Sequence, residues 1–236
     1  MRWPVSTRTK DVFAHSRTRT LADMTGHFAL AADGRTLAAG SFQSGVLLLD
    51  LASGQVTREL PTNDQVQSLA FSPDGRTLAG LTRQRREMRL WDAATQRERG
   101  RRSGQGDEVL ALACSPTGHL IASAGKDLSV RLWRAREDAG AGTRVTVLRG
   151  HKAEIKALAF TPDGRTLASS STDLTVKLWH TPTWRELGTA RHNGLFTFLA
   201  FADEGRTLLA GEYRKAARVL RSRNESETGH ADQASP

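Results

Sequence analysis

The groups with which this chain could do chemistry are seven histidines, one cysteine, dispersed serines and carboxylates, and clusters of arginine. His15, His27, His119, His151, His180, His192 and His230 are scattered, and none stands at ligand spacing from an Asp, Glu or Cys, so no metal site is expected. Asp-Gly pairs recur, but none opens a helix pattern and no Walker-type phosphate loop is present, so no nucleotide cofactor is expected. Cys114 alone supports neither an intramolecular disulfide framework nor a multi-cysteine zinc site. A single thiol fits a reducing compartment, and the cytoplasm is the expected location. Arginines gather at Arg83, Arg85 and Arg86 and again at Arg97, Arg99, Arg101 and Arg102. With the formal charge of +9 they could attract nucleic acid, acidic lipid or an acidic protein. Solvated outer edges of a sheet account for the same arginines, because edge strands carry charge against unwanted pairing.

These groups are positioned by short elements joined by many turns. Only 38% of the 236 residues are hydrophobic, 21 are glycine and one is tyrosine. The uncharged apolar runs, such as 46–49 and 199–202, are far shorter than the roughly 20 residues a spanning helix needs, so no membrane insertion is expected. Residues 1–20 are rich in Arg, Ser and Thr with no apolar stretch behind the charges, which does not suit a secretory signal.

Self-comparison shows the organisation. The hexamer D-G-R-T-L-A occurs at 33–38, 74–79 and 163–168, with weaker copies T-G-H-L-I-A at 117–122 and E-G-R-T-L-L at 204–209. The shared glycines, Gly34, Gly75, Gly118, Gly164 and Gly205, are spaced by 41, 43, 46 and 41 residues. A period of roughly 40 to 45 residues suits a radial array of four-stranded units, and no amphipathic helical segments compete. In the fourth copy, alternation predicts strands over 155–160, 166–170, 175–179 and 184–189, with Pro162 and Gly164 in the first turn.

The third strand of the unit reads M-R-L-W-D at 88–92, V-R-L-W-R at 130–134 and V-K-L-W-H at 176–180, while Leu49 and Leu220 replace the Trp in the first and fifth copies. A Gly-His pair, Gly150 with His151, lies 13 residues before Gly164, and the fifth copy keeps only His192. Gly26 with His27 is a false match, only 7 residues before Gly34. On these motifs residues 21–221 resemble the Trp-Asp (WD) repeat family of β-propellers. The resemblance implies an all-β fold of about five four-stranded blades. They would form either a closed ring, with residues around 11–15 supplying the outer strand of the last blade, or an open arc, incomplete or part of a larger ring. Residues 1–20 then form an N-terminal segment and 222–236 a disordered polar tail.

The resemblance further implies a buried hydrogen-bonded chain through His151, Ser169, Asp173 and Trp179. In the third copy Ser123, Asp127 and Trp133 are kept, with Gln105 at the His position. The His-Ser-Asp set is superficially like a hydrolase triad, but its serine lacks an exposed nucleophile elbow, so the expected role is structural. Cys114 stands where sister copies have Phe71, Phe160 and Phe201, and reads as a small buried hydrophobe. Trp184 stands where they have Gly54 or Gln96, either as a contact residue or packed on a neighbouring blade. The implied function is a non-catalytic scaffold binding a protein or peptide on the face formed by the loop before each first strand and the turn after each second. Those positions are Arg85, Arg86, Lys126, Lys152, Glu154, Thr172, Asn193, Tyr213 and Arg214. The alternatives are a basic nucleic-acid-binding propeller and an enzyme built on a propeller scaffold.

Overall fold

In a computed structural model, residues 24–41, 45–60, 62, 64–83, 87–102, 108–135, 144–212 and 218–221 are described. The expected N-terminal segment and polar tail lie outside them, as do Gln105 and residues 11–15. Alternating apolar residues cut by turns form five antiparallel sheets, each in chain order, so every connection within a sheet is a hairpin.

Blade 1 is β1 (Met24–Leu30), β2 (Thr36–Ser41), β3 (Gly45–Asp50) and β4 (Gln55–Leu60). Blade 2 is β5 (Val66–Phe71), β6 (Thr77–Thr82), β7 (Met88–Asp92) and β8 (Glu98–Arg102). Blade 3 is β9 (Val109–Cys114), β10 (Leu120–Gly125), β11 (Ser129–Arg134) and β12 (Arg144–Arg149). Blade 4 is β13 (Ile155–Phe160), β14 (Thr166–Ser171), β15 (Thr175–His180) and β16 (Arg185–Arg191). Blade 5 has three described strands, β17 (Phe196–Ala202), β18 (Thr207–Glu212) and β19 (Arg218–Arg221). The strands expected in the fourth copy agree within two residues.

The repeated hexamer makes the first turn of each blade. Asp33 Oδ1 accepts the N–H groups of Arg35 and Thr36 at 2.8 and 3.0 Å, and Asp163 Oδ1 accepts that of Arg165 at 2.9 Å. Gly34 and Gly164 take φ of 66° and 69°, the left-handed conformation that costs a residue without Cβ least. The fifth copy departs from this pattern. Asp203 and Glu204 both take positive φ, in a short 3-10 turn over Asp203–Gly205.

Blades stack through two unlike faces. One carries the Trp or its replacement on the third strand, as with Leu69, Leu78 and Trp91 of blade 2. It packs on the opposite face of the preceding blade, here Ala38, Val46 and Leu48. The same pairing joins blades 2 and 3 around Trp133, blades 3 and 4 around Trp179, and blades 4 and 5 around Phe196 and Leu208. The first strands β1, β5, β9, β13 and β17 are in contact in that order and line the inside. The five sheets are thus arranged radially, as the blades of a propeller.

Trp184 resolves as a packing residue. It takes φ of 58° in the turn before β16, where Gly54 and Gln96 also have positive φ, and its ring lies against the core between blades 3 and 4. That turn is why β16 starts at Arg185 and not at Trp184.

The backbone approach is closest at Gly125, where a Cβ would lie 2.0 Å from the Glu108 carbonyl oxygen and 2.7 Å from the Val109 Cα. Backbone cannot yield there as a side chain can. Gly125→Ala is therefore expected to destabilise the protein by about 2 kcal/mol or more, read as a lower urea midpoint at unchanged slope.

Candidate functional site

The loop before β13, the end of β14, the β14–β15 turn and the end of β15 meet at one edge of blade 4 and build the polar chain. Trp179 Nε1–H donates to Ser169 Oγ at 2.9 Å. The Ser169 hydroxyl lies 2.7 Å from His151 Nε2, and His151 Nδ1 lies 2.9 Å from Asp173 Oδ2. A consistent donor order follows: indole to hydroxyl, hydroxyl to Nε2, and Nδ1–H to carboxylate, which makes the imidazole neutral with its proton on Nδ1. Burial lowers the His151 pKa below its ordinary value, against the opposing pull of Asp173, and so favours the same neutral form. Burial also works against the Asp173 carboxylate. Hydrogen bonds from Thr175, the Lys152 N–H and His151 outweigh it and hold Asp173 at about 2. Ser169 has no exposed surface and the His151 side chain none either, so the hydroxyl and imidazole of the triad-like set are closed off from solvent.

Blade 3 shares the indole end of this arrangement. Trp133 Nε1–H donates to Ser123 Oγ at 2.8 Å. Asp127 is held from the other side, by Ser129 and by the Arg131 guanidinium. In blade 2 the serine position is Gly80, and a Cβ there would fall 2.7 Å from the Trp91 ring, so the indole occupies the space the hydroxyl uses elsewhere. In blade 5 the corresponding residue is Ala210, and His192 stacks on Phe196 at 4.1 Å with no partner for its Nε2. Sequence reasoning missed Arg131, Ser129 and Thr175 in these networks. The signal available was position: Arg131 and Ser129 lie on the strand just after Asp127, within reach of its turn.

Of the expected partner-binding positions, Lys152, Glu154 and Thr172 come together at one rim of blade 4. The Thr172 N–H donates to the Glu154 carbonyl at 2.9 Å, and Lys156 Nζ meets the Glu154 carboxylate at 2.5 Å. The same bond recurs one blade earlier, from the Lys126 N–H to the Glu108 carbonyl at 2.8 Å, and again in blade 2, from Arg83 to Gln65 at 2.8 Å. Glu108 binds Lys126 Nζ at 2.8 Å and Gln67 of blade 2 at 3.0 Å, and these two contacts lower its pKa. The rim is thus a row of charged groups laced across blades. Asn193 is exposed on blade 5 and accepts from Arg218 at 2.8 Å. Arg85, Arg86, Tyr213 and Arg214 lie outside the described residues.

Arg97, Arg99 and Arg101 are exposed along the outer edge of blade 2, as a solvated face would have them, but Arg102 is buried. Its register explains the difference. Arg102 pairs with the fully buried Met88 and so turns inward at the strand end. Arg99 is paired with Asp92, and Arg101 with Glu98, so much of this cluster's charge is already matched. Among the described residues, no three His, Cys, Asp or Glu side chains gather where they could hold a metal ion, and no helix is long and apolar enough to cross a membrane. Cys114 packs against the core between blades 2 and 3, and burial pushes its thiol up to about 12.

Ser169→Ala would leave the Trp179 N–H and His151 Nε2 unpaired in the core and is expected to cost about 3 kcal/mol of unfolding free energy by urea titration. The network also sets a pH dependence. The folded His151 pKa lies below the unfolded value of 6.5, so its contribution to stability is present above that pH and is lost as the pH falls. A series of urea midpoints from neutral pH to about pH 5 should fall steadily, and His151→Asn should flatten that fall.

The sequence model of the family described as WD domain, G-beta repeat matches residues 54–92, 98–134 and 142–180. Each match runs from the outer strand of one blade through the third strand of the next, β4–β7, β8–β11 and β12–β15, so sequence repeat and blade are offset by one strand. No curated protein matches the chain. The three matches in phase with the stacked sheets, and the His-Ser-Asp-Trp chain in the last of them, place this chain in the WD-repeat family of β-propeller proteins.

Proposed function

We propose that this protein is a non-catalytic scaffold that binds a protein or peptide partner across the rim carrying Lys126, Lys152, Glu154, Thr172 and Asn193. WD-repeat propellers generally serve as protein-interaction scaffolds. The observation that carries the reading is a separation of roles. Among the described residues, the set resembling catalytic machinery has its imidazole and hydroxyl buried and hydrogen-bonded internally, while charged side chains on the turns stand exposed at the adjacent rim. Lys152 joins the two, because its N–H is anchored to Asp173 at 2.8 Å while its side chain stays exposed. A pre-ordered backbone lowers the entropy lost when a partner docks.

Nucleic-acid binding is the weaker reading, since Arg99 and Arg101 of the outer-strand cluster are paired with Asp92 and Glu98 and, among the described residues, no exposed aromatic row accompanies them. The combined change Lys126→Ala, Lys152→Ala and Glu154→Ala should weaken capture of a cross-linked partner by about tenfold or more, while Arg99→Ala leaves it unchanged. Equal binding by both variants would exclude the rim. RNA or DNA binding that weakens linearly in log salt would favour the nucleic-acid reading.

A further inference from the structure

Among the described residues, Gln96, Leu128, Leu174, Trp184, Asp203 and Glu204 take positive φ without being glycine. Trp184 is held there by its packing between blades 3 and 4, and Gln96, Asp203 and Glu204 are polar turn residues. Leu128 (φ 64°) and Leu174 (φ 62°) are large and apolar, and they are 38% and 42% exposed. They hold the same place in the second turn of blades 3 and 4, one residue past Asp127 and Asp173. Turn bonds fix both, from the Leu128 N–H to the Gly125 carbonyl at 3.4 Å and from the Leu174 N–H to the Ser171 carbonyl at 3.2 Å. A bulky side chain is costly in this backbone conformation, and its repetition in two successive blades, half open to water, points to a contact surface.

Cations stand beside each leucine. Ser129, next to Leu128, pairs with Arg149 at the end of β12, and Thr175, next to Leu174, pairs with Arg191 at the end of β16. Lys152 is the third, since its N–H is bound at 2.8 Å to Asp173, the residue before Leu174. All three are exposed, and among the described residues no carboxylate pairs with any of the three side-chain charges. The neighbouring carboxylates are taken: Glu108 by Lys126, Glu154 by Lys156, Asp127 by Arg131 and Asp173 by His151.

We propose, building on the rim-binding function above, that Leu128, Leu174, Arg149, Lys152 and Arg191 form one docking surface for an acidic peptide segment that carries apolar side chains. Its apolar residues cover the two leucines and its carboxylates meet the three cations. Charge complementarity selects the acidic partner, and guanidinium groups can hold carboxylates through paired hydrogen bonds. The leucines select against a purely electrostatic ligand, because a phosphate backbone would leave them uncovered and they offer no ring on which a base could stack. Both leucines and Lys152 sit on backbone already fixed by hydrogen bonds, which lowers the ordering cost of docking.

The test selects a display library of short random peptides against the full chain and measures the enriched peptides by fluorescence anisotropy. Enriched peptides should combine Asp or Glu with Leu, Ile or Phe. Leu128→Asn with Leu174→Asn should weaken them by about tenfold or more, and so should Arg149→Glu with Arg191→Glu. Asparagine takes the left-handed conformation more readily than leucine, so the first pair should keep the fold, which unchanged tryptophan fluorescence checks. The charge reversals lie at exposed positions and carry the test if the asparagine pair unfolds. A library with no enrichment overturns the proposal, as do enriched peptides that lack acidic or apolar residues, or that bind both double variants unchanged. If such indifferent peptides are weakened by Lys126→Ala with Glu154→Ala, the rim still binds a partner and the chemistry assigned to it here is lost. If they are indifferent to that change as well, both readings fall. A single-stranded RNA that binds more tightly than every enriched peptide, with an affinity unmoved by the asparagine changes, also overturns the proposal.

Discussion

The structure depends on the mutual covering of blade faces. A small sheet whose two faces are both apolar cannot stand in water by itself, and each blade here is such a sheet. Blades 2, 3 and 4 are covered on both sides. Their central strands are deeply buried, with Leu78, Val130, Leu132 and Leu167 fully enclosed. Stability in such an array is shared between neighbours, so a change in one blade is felt across its junctions and little beyond them. The offset between sequence repeat and blade adds to this coupling, because each repeat supplies the outer strand of one sheet and the inner strands of the next.

Within that stack the Trp position does one job by three means. In blade 4 the indole is fixed by a hydroxyl that is itself fixed by an imidazole and a carboxylate. In blade 3 the same hydroxyl fixes the indole, and an arginine binds the carboxylate. In blade 2 the hydroxyl is gone, and removal of a Cβ at Gly80 makes room for the ring to pack directly. A buried polar group has to be satisfied or replaced by matching apolar shape, and the blades show both solutions. The polar chain is one way of setting an indole between two sheets, and its resemblance to a hydrolytic triad ends at residue type.

The rim inherits its order from this interior. Bonds between the turn after the second strand and the residue before the first recur from blade to blade, at Arg83, Lys126 and Thr172, and they set exposed charges on fixed backbone. Packing does not dictate which side chains such surface positions carry, so the fold by itself does not name a ligand.

The amino-acid sequence by itself determined whatever depends on neighbours in the chain. The Asp-Gly turns are built from bonds spanning two or three residues, as between Asp33, Arg35 and Thr36, and the strands follow from alternation between those turns. Both were therefore legible as a period of about 40 residues with matching strand bounds. His151 stands 18 residues from Ser169 and 22 from Asp173, and only the family resemblance joined them before the geometry did. Tertiary structure alone decided that Arg131 binds Asp127, that Trp91 needs a glycine opposite, and that Arg102 turns inward and Trp184 packs between blades. Each of these turns on which sheet faces which across a gap in sequence, and periodicity within one strand carries no information about the sheet on the other side.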